Sequence, residues 1–411
     1  MFVVRIKKQH PAMSFEKLID TMLRRIPNMT KHQGIFLRNQ LALILMIPIR
    51  CNYLSFARYG KYNEATYRNH YNNDKVDFAE FNYRLISKHT STNRIIAFDP
   101  SFIKKSGEDT PGVDDFWSGC HGKMMHGKEL CGLAVVDLDA NEALHFVAEQ
   151  TMPEAGETKI EFYFRTVKKH HEKLLKLSRY LAVDAYFAKE PFIRKCIELG
   201  FYIVTRLRTD AAIYYVKQPN APRRPGPRSK KGARINTKNI DVSQLPMISK
   251  TDKEIVYGGL IYVESLGYEV MANILQILNE DGSVKTALIY ICTDTKVAVE
   301  KVRPMYKGRF HIEFLNRDSK QYAGLEESQS RTREAIDYHY NASMTAVSAA
   351  KVAYHLSIPK EERGPFSMAS ITIELANRDL INRVFDLVES NPNITRHDKL
   401  VVNLCKLGKI A

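Results

Sequence analysis

Two short apolar runs in this chain each finish on an aspartate: Arg-Ile-Ile-Ala-Phe-Asp at 94–99 and Tyr-Leu-Ala-Val-Asp at 180–184. Runs of this length, rich in Ile, Val, Leu and Phe and bounded by polar segments, read as buried strands. Asp99 and Asp184 therefore stand at strand ends, where a carboxylate can reach the edge of a sheet.

The segments between them define the architecture. Residues 129–137 (ELCGLAVVD) and 143–150 (ALHFVAEQ) are strand-like and are joined by a hairpin-length turn at 138–142. An amphipathic helix at 159–177 follows, and after Asp184 come a helix at 187–199, closed by Gly200, and a strand at 201–205. This β-β-β-α-β-α-β order is that of the ribonuclease H-like fold, an α/β mixed sheet flanked by helices. In such a sheet the first and fourth strands lie side by side, so Asp99 and Asp184 can share a metal ion. Asp137 and Asp139 also end a strand, but they sit in a turn, where Asp is common.

The chain divides by pattern into 1–88, 89–205, 206–292, 293–345 and 346–411. The first part is helical and polar-basic. Asn52 can cap a helix at 53–59, Gly60 can end it in a left-handed turn, and Asn63 can cap a second at 64–71. Arg68, Asn69 and His70 on that second helix suit phosphates or base edges, as in a helix-turn-helix; the plainer alternative is a helical hairpin with a solvated face. Residues 206–292 read as a β insertion, with strands at 254–263, 268–278 and 285–292 behind a Pro/Arg/Lys-rich tract at 219–238. That tract carries Arg223, Arg224, Arg228, Lys230, Lys231 and Arg234, a basic loop placed to touch nucleic acid or simply to be solvated. Helices are expected again at 328–355 and 371–411.

With 61 Lys+Arg against 46 Asp+Glu, the net charge is +15. An excess of this size favours a polyanionic partner, because binding by Lys and Arg releases condensed counterions. The membrane alternative weakens because the apolar run at 41–49 stops at Arg50, far short of the roughly 20 residues a spanning helix needs. The six cysteines are scattered without framework spacing, as in a reduced, cytoplasmic protein. Cys120, His121, His126 and Cys131 match no structural zinc spacing, and no phosphate-cradling Gly-x4-Gly-Lys pattern is present.

Helical character returns near Thr295 and restarts at Pro304, a residue suited to a first helical turn. On this helix Tyr306, Arg309, Glu313, Arg317 and Lys320 fall within an arc of about 80° at 100° per residue. Phe310, Ile312, Phe314 and Leu315 are the apolar residues that can anchor it on the sheet. Arg309, Glu313 and Arg317 alone make a run of i,i+4 salt bridges worth about 0.2–0.5 kcal/mol each. Together with Asp99 and Asp184, however, Glu313 supplies a third carboxylate to the same edge.

The spacing Tyr306-x2-Arg309-x3-Glu313-x6-Lys320 resembles the signature of DDE transposases of the insertion-sequence-four family. The segments Asp99-Pro100-Ser101-Phe102-Ile103-Lys104-Lys105-Ser106-Gly107 and Phe116-Trp117-Ser118-Gly119 resemble the surroundings of the first catalytic Asp, and Val183-Asp184-Ala185-Tyr186-Phe187 those of the second. The resemblance covers about residues 94–345. It implies Asp99, Asp184 and Glu313 as catalytic and metal-binding residues holding two Mg²⁺ ions, with Mn²⁺ able to substitute. Asp99 would bridge them. It implies nicking of transposon ends, a DNA hairpin opened by water, and joining of the 3′-OH to target DNA by a homodimer. Tyr306, Arg309, Arg317 and Lys320, with Lys104, Lys105, Arg68 and the basic tract, are the expected DNA contacts. Family members stack a flipped base on a Trp of the insertion; here the only Trp is Trp117, upstream of it, and Tyr257, Tyr262 or Tyr268 could take that place. Two other functions fit parts of this pattern: a DNA-binding regulator without catalysis, and a structure-selective nuclease that cuts but does not join.

Overall fold

The computed structural model describes residues 15–24, 26–107, 109–119, 121–217, 231–364, 366–395 and 398–401. Five helices come first: α1 (Phe15–Leu23), α2 (Lys31–Met46), α3 (Tyr53–Tyr59), α4 (Glu64–Asn73) and α5 (Phe78–His89). Polar caps set the starts of the last four. Thr30 and Gln33 close a capping box on α2, while Asn52, Asn63 and Asp77 each accept from the backbone N–H three residues on. Gly60 does end α3, but not in a left-handed turn, for its φ is −94°. It is required for space, since a Cβ there would run into the Tyr67 hydroxyl and the Phe56 carbonyl. His70 is not available to a ligand either. It is buried, stacked at 3.7 Å on Phe36, and shares a 2.7 Å hydrogen bond with Asp74.

The central elements are β1 (Arg94–Ile103), β2 (Asp114–Ser118), β3 (Lys123–Asp137), β4 (Glu142–Gln150), α6 (Lys159–Leu175), β5 (Tyr180–Ala182), a 3₁₀ turn at Ala185–Phe187, α7 (Glu190–Glu198) and β6 (Tyr202–Leu207). The expected order holds, with β2 as an addition. The insertion contributes β7 (Ile213–Val216), β8 (Lys231–Arg234), β9 (Met247–Lys250), β10 (Glu254–Val263), β11 (Tyr268–Leu278) and β12 (Val284–Cys292). Helices α8 (Val299–Gly308), α9 (His311–Tyr322), α10 (Arg333–Ser357) and α11 (Met368–Ser390) complete the chain.

The sheet runs β2-β3-β1-β5-β6-β12-β11-β10-β7-β8, with β4 on the outer side of β3. Pairs β1/β5 and β5/β6 are parallel; β12 joins β6 antiparallel, with Ile291 opposite Thr205. The insertion is thus continuous with the core sheet. On one face Phe98 packs against Phe187, Phe192 and Tyr163. On the other, Ile312 of α9 covers Gly132 and Gly308 of α8 lies on Ile95. Asp137 is a turn residue, as expected: its Oδ1 accepts from the backbone N–H of Asp139 and Ala140.

A single cluster of buried apolar residues runs from Phe15 to Leu375, each large side chain contributing about 1.5–3 kcal/mol. The division at 345/346 falls inside α10, which is unbroken and buried on nearly all sides. This helix also finishes the sheet. The Asn341 amide accepts from the Ala148 N–H and donates to the Ala148 carbonyl, both at 2.9 Å, and Ser348 Oγ accepts from the His145 N–H at 2.8 Å. Helix side chains thereby close the outer edge of β4, which would otherwise present unpaired backbone groups. No helix among the described residues is long and apolar enough to cross a membrane.

Candidate active site

The parallel register of β1 and β5 pairs Ile96 with Leu181 and Ala97 with Ala182. Asp99 stands two residues beyond Ala97 but does not end its strand as expected, because β1 stays paired with β3 as far as Ile103; Asp184 stands two residues beyond Ala182, just past the end of β5. Asp184 starts the 3₁₀ turn: its Oδ1 accepts from the Tyr186 N–H at 2.9 Å, and its carbonyl accepts from Thr205 Oγ1 at 3.0 Å. Both contacts hold the residue in place and leave Oδ2 for other partners.

The third carboxylate arrives by a route the sequence pattern does not reveal. Residues 299–322 are not one helix restarting at Pro304. Pro304 lies inside α8, and the break comes at Arg309 and Phe310, where backbone N–H groups of 309, 310, 312 and 313 bond three residues back. The cause is a tertiary contact. A Cβ on Gly308 would sit 2.5 Å from Leu138 Cδ2 and 3.1 Å from Ile95 Cδ1, so α8 runs close onto the sheet and the chain must then turn. The five polar residues therefore do not form one straight stripe. Ile312 and Leu315 are fully buried, as an anchoring face should be, but Phe310 and Phe314 are exposed, forming an edge-on pair 5.2 Å apart beside Glu313.

At the break, Arg309 donates from Nη1 to Asp99 Oδ1 at 2.9 Å and from Nη2 to Glu313 Oε1 at 3.2 Å. Its side chain is 12 % exposed, that of Asp99 19 % and that of Glu313 40 %. The pKa of Asp99 is raised to about 7, first by burial and then by Glu313, Asp184 and Glu129, against the lowering effect of Arg309. All-oxygen donors of this kind suit a hard divalent cation such as Mg²⁺. Among the described residues, no group of three or more His, Cys, Asp or Glu side chains is already closed to metal-holding distances.

The other expected contacts divide. Tyr306 packs on Tyr290 of β12 at 5.2 Å, tying the site to the insertion. Lys320 donates to the Phe102 carbonyl at 2.6 Å and pairs with Glu326 at 3.0 Å, and Arg317 pairs with Asp318 at 3.0 Å. Lys105 is partly buried and donates to the Ser328 and Ser330 carbonyls, a structural tie that argues against its expected role as a surface DNA contact. Lys104 is exposed. Arg68 is exposed, paired with Glu64 and 5.0 Å from the Tyr53 ring. Arg223, Arg224, Arg228 and Lys230 lie outside the described residues. Lys231 opens β8, paired with Glu264 and above the Tyr214 ring. Of the aromatics considered for stacking, Tyr257 is buried, whereas Trp117 is 59 % exposed on the β2/β3 hairpin. Sequence reasoning passed over Tyr186, exposed two residues after Asp184 with Lys189 Nζ 4.1 Å from its ring centre. The available signal was an aromatic two residues after Asp184.

A family model described as the transposase DDE domain matches residues 91–339. This chain belongs to that family. The match opens just before β1 and closes within α10, so it takes in Asp99, Asp184 and Glu313. Among curated proteins, none matches the chain. Membership makes the chain a transposase of DNA recombination, with a domain type that generally uses divalent metal ions.

Proposed function

We propose that this transposase cleaves the ends of its element in a Mg²⁺-dependent reaction and joins the freed 3′-OH to target DNA through a hairpin intermediate, in the manner of the insertion-sequence-four family. The observation that carries this reading is the bridging of Asp99 and Glu313, from two separate elements, by one guanidinium, with Asp184 just past the end of the parallel strand next to β1. Asp99 would bridge two ions, with Asp184 and Glu313 each holding one. A metal pair in such a site lowers the pKa of the attacking water and stabilises the leaving oxygen. Tyr306, Arg309 and Lys320 would hold the distorted phosphate backbone. Residues 1–88, with Arg68, and the basic tract through Lys231 would contact the duplex further out. Two protomers would bring the two ends together.

The test is a labelled duplex carrying the element's own ends, incubated with Mg²⁺ and then offered a target plasmid. Wild-type protein should nick, form hairpins and join, and Asp184→Asn should do none of these while still binding DNA. Cutting without joining from pre-cut 3′-OH ends would favour the nuclease. Binding without cutting would favour the regulator.

A further inference from the structure

Arg309 occupies the position from which a bound cation would be opposed. Its two terminal nitrogens reach Asp99 on β1 and Glu313 on α9, so one guanidinium spans two acids on different elements. A divalent ion on those oxygens, at about 2.1 Å for Mg²⁺, would face a like charge within a few ångströms. From this geometry we infer that Arg309 is a displaceable counter-ion: it neutralises Asp99 and Glu313 until metal loads, and the released guanidinium then takes a DNA phosphate. Metal and DNA binding are thereby coupled. The inference rests on the reading of these carboxylates as the metal site.

Two further observations support release. Arg309 Nε is buried and has no hydrogen-bond partner, so the present arrangement leaves one donor of the fork unsatisfied, which phosphate oxygens can satisfy bidentately. The residue also sits at the break between α8 and α9, where Phe310 provides no side-chain cap. Re-aiming its side chain is a change of rotamer at fixed backbone and unwinds neither helix. The groups acting on it are Asp99, Tyr306, whose ring centroid lies 6.0 Å away, Glu313 and Asp184; of these, Asp99 and Glu313 are the two it bonds.

Linkage requires that metal tighten DNA binding by the same factor by which DNA tightens metal binding. The experiment uses full-length protein, Ca²⁺ as an oxygen-seeking probe followed by calorimetry, and a fluorescent duplex followed by anisotropy. Wild type should show coupling of about fivefold or more. Arg309→Gln should bind Ca²⁺ about tenfold more tightly without DNA, and its coupling should fall below about twofold. Arg309→Lys, which keeps the charge but cannot span both acids, should also bind Ca²⁺ more tightly than wild type and covers the case in which the Gln variant folds poorly. Lys307→Gln, on the exposed side of α8, should leave the coupling intact. Unchanged Ca²⁺ affinity or full coupling in Arg309→Gln overturns the inference. Asp99→Asn separates the two readings: if it abolishes Ca²⁺ binding while the Arg309 variants change nothing, only the counter-ion role fails; if Ca²⁺ binding survives it, the metal-site assignment fails as well.

Discussion

Arg309 Nη1 and Asp99 Oδ1 lie 2.9 Å apart although their residues are separated by 210 positions in the chain. The contact joins the break between α8 and α9 to the middle of β1. Arg309 and Glu313 are i,i+4 neighbours that can pair on a straight helix as well; what the turn after Gly308 sets is where that pair stands relative to Asp99.

That dependence predicts a cost for filling the space at Gly308. Gly308→Ala places a methyl 2.5 Å from Leu138 Cδ2 and 3.1 Å from Ile95 Cδ1. Overpacking of this kind costs about 1–3 kcal/mol. Chemical denaturation should show that loss, and cleavage should fall further than the loss of folded protein explains.

The three carboxylates should fail together. Asp99→Asn, Asp184→Asn and Glu313→Gln each remove a metal-binding oxygen and should reduce cleavage by about 10³-fold or more, while leaving duplex affinity within a few-fold. Gel-based cleavage and anisotropy measure the two effects separately. A Glu313→Gln protein with wild-type cleavage would return that residue to the role of a salt-bridge partner.

Asn341→Ala should unfold the protein more readily. It strips the Ala148 N–H and carbonyl of their partners and takes the acceptor from His145 Nε2. Buried groups left unpaired cost about 1–3 kcal/mol each, so with three such groups a loss of about 3 kcal/mol or more is expected by urea denaturation.

Much of the fold is legible along the chain because local patterning decides it. The strands at 254–263 and 268–278 appear where alternation and apolar content place them, and Asn52 and Asn63 cap the helices they precede. What escapes notice is set by distant contacts. The polar run of β2 becomes a strand only because β3 extends beside it, with Trp117 opposite Met124. The break at Arg309 comes from packing of Gly308 on Ile95 and not from Pro304, which carries the local signal. That Asp99 and Asp184 lie on or just past adjacent strands was legible, although β1 runs on to Ile103 and Asp99 does not end it; that Arg309 would bridge Asp99 to Glu313 was not, because it depends on where two helices meet.

Acid should destabilise the protein through two buried imidazoles. His145 and His339 are held at a pKa of about 4, chiefly by burial, against about 6.5 when exposed. Above pH about 6.5 both states are neutral there and the contribution to stability is complete. As the pH falls towards 4, the unfolded chain takes up protons that the folded chain refuses, and stability declines, by on the order of 3 kcal/mol per histidine. Urea midpoints should drop between pH 7 and pH 5, and less so in His145→Gln.

The most direct test of the central claim is a crystal structure with Mn²⁺, read from anomalous scattering. The account predicts ion density between Asp99, Asp184 and Glu313, with Arg309 moved off Asp99. Ion density elsewhere, or none at saturating Mn²⁺ with the Arg309–Asp99 contact unbroken, would contradict it.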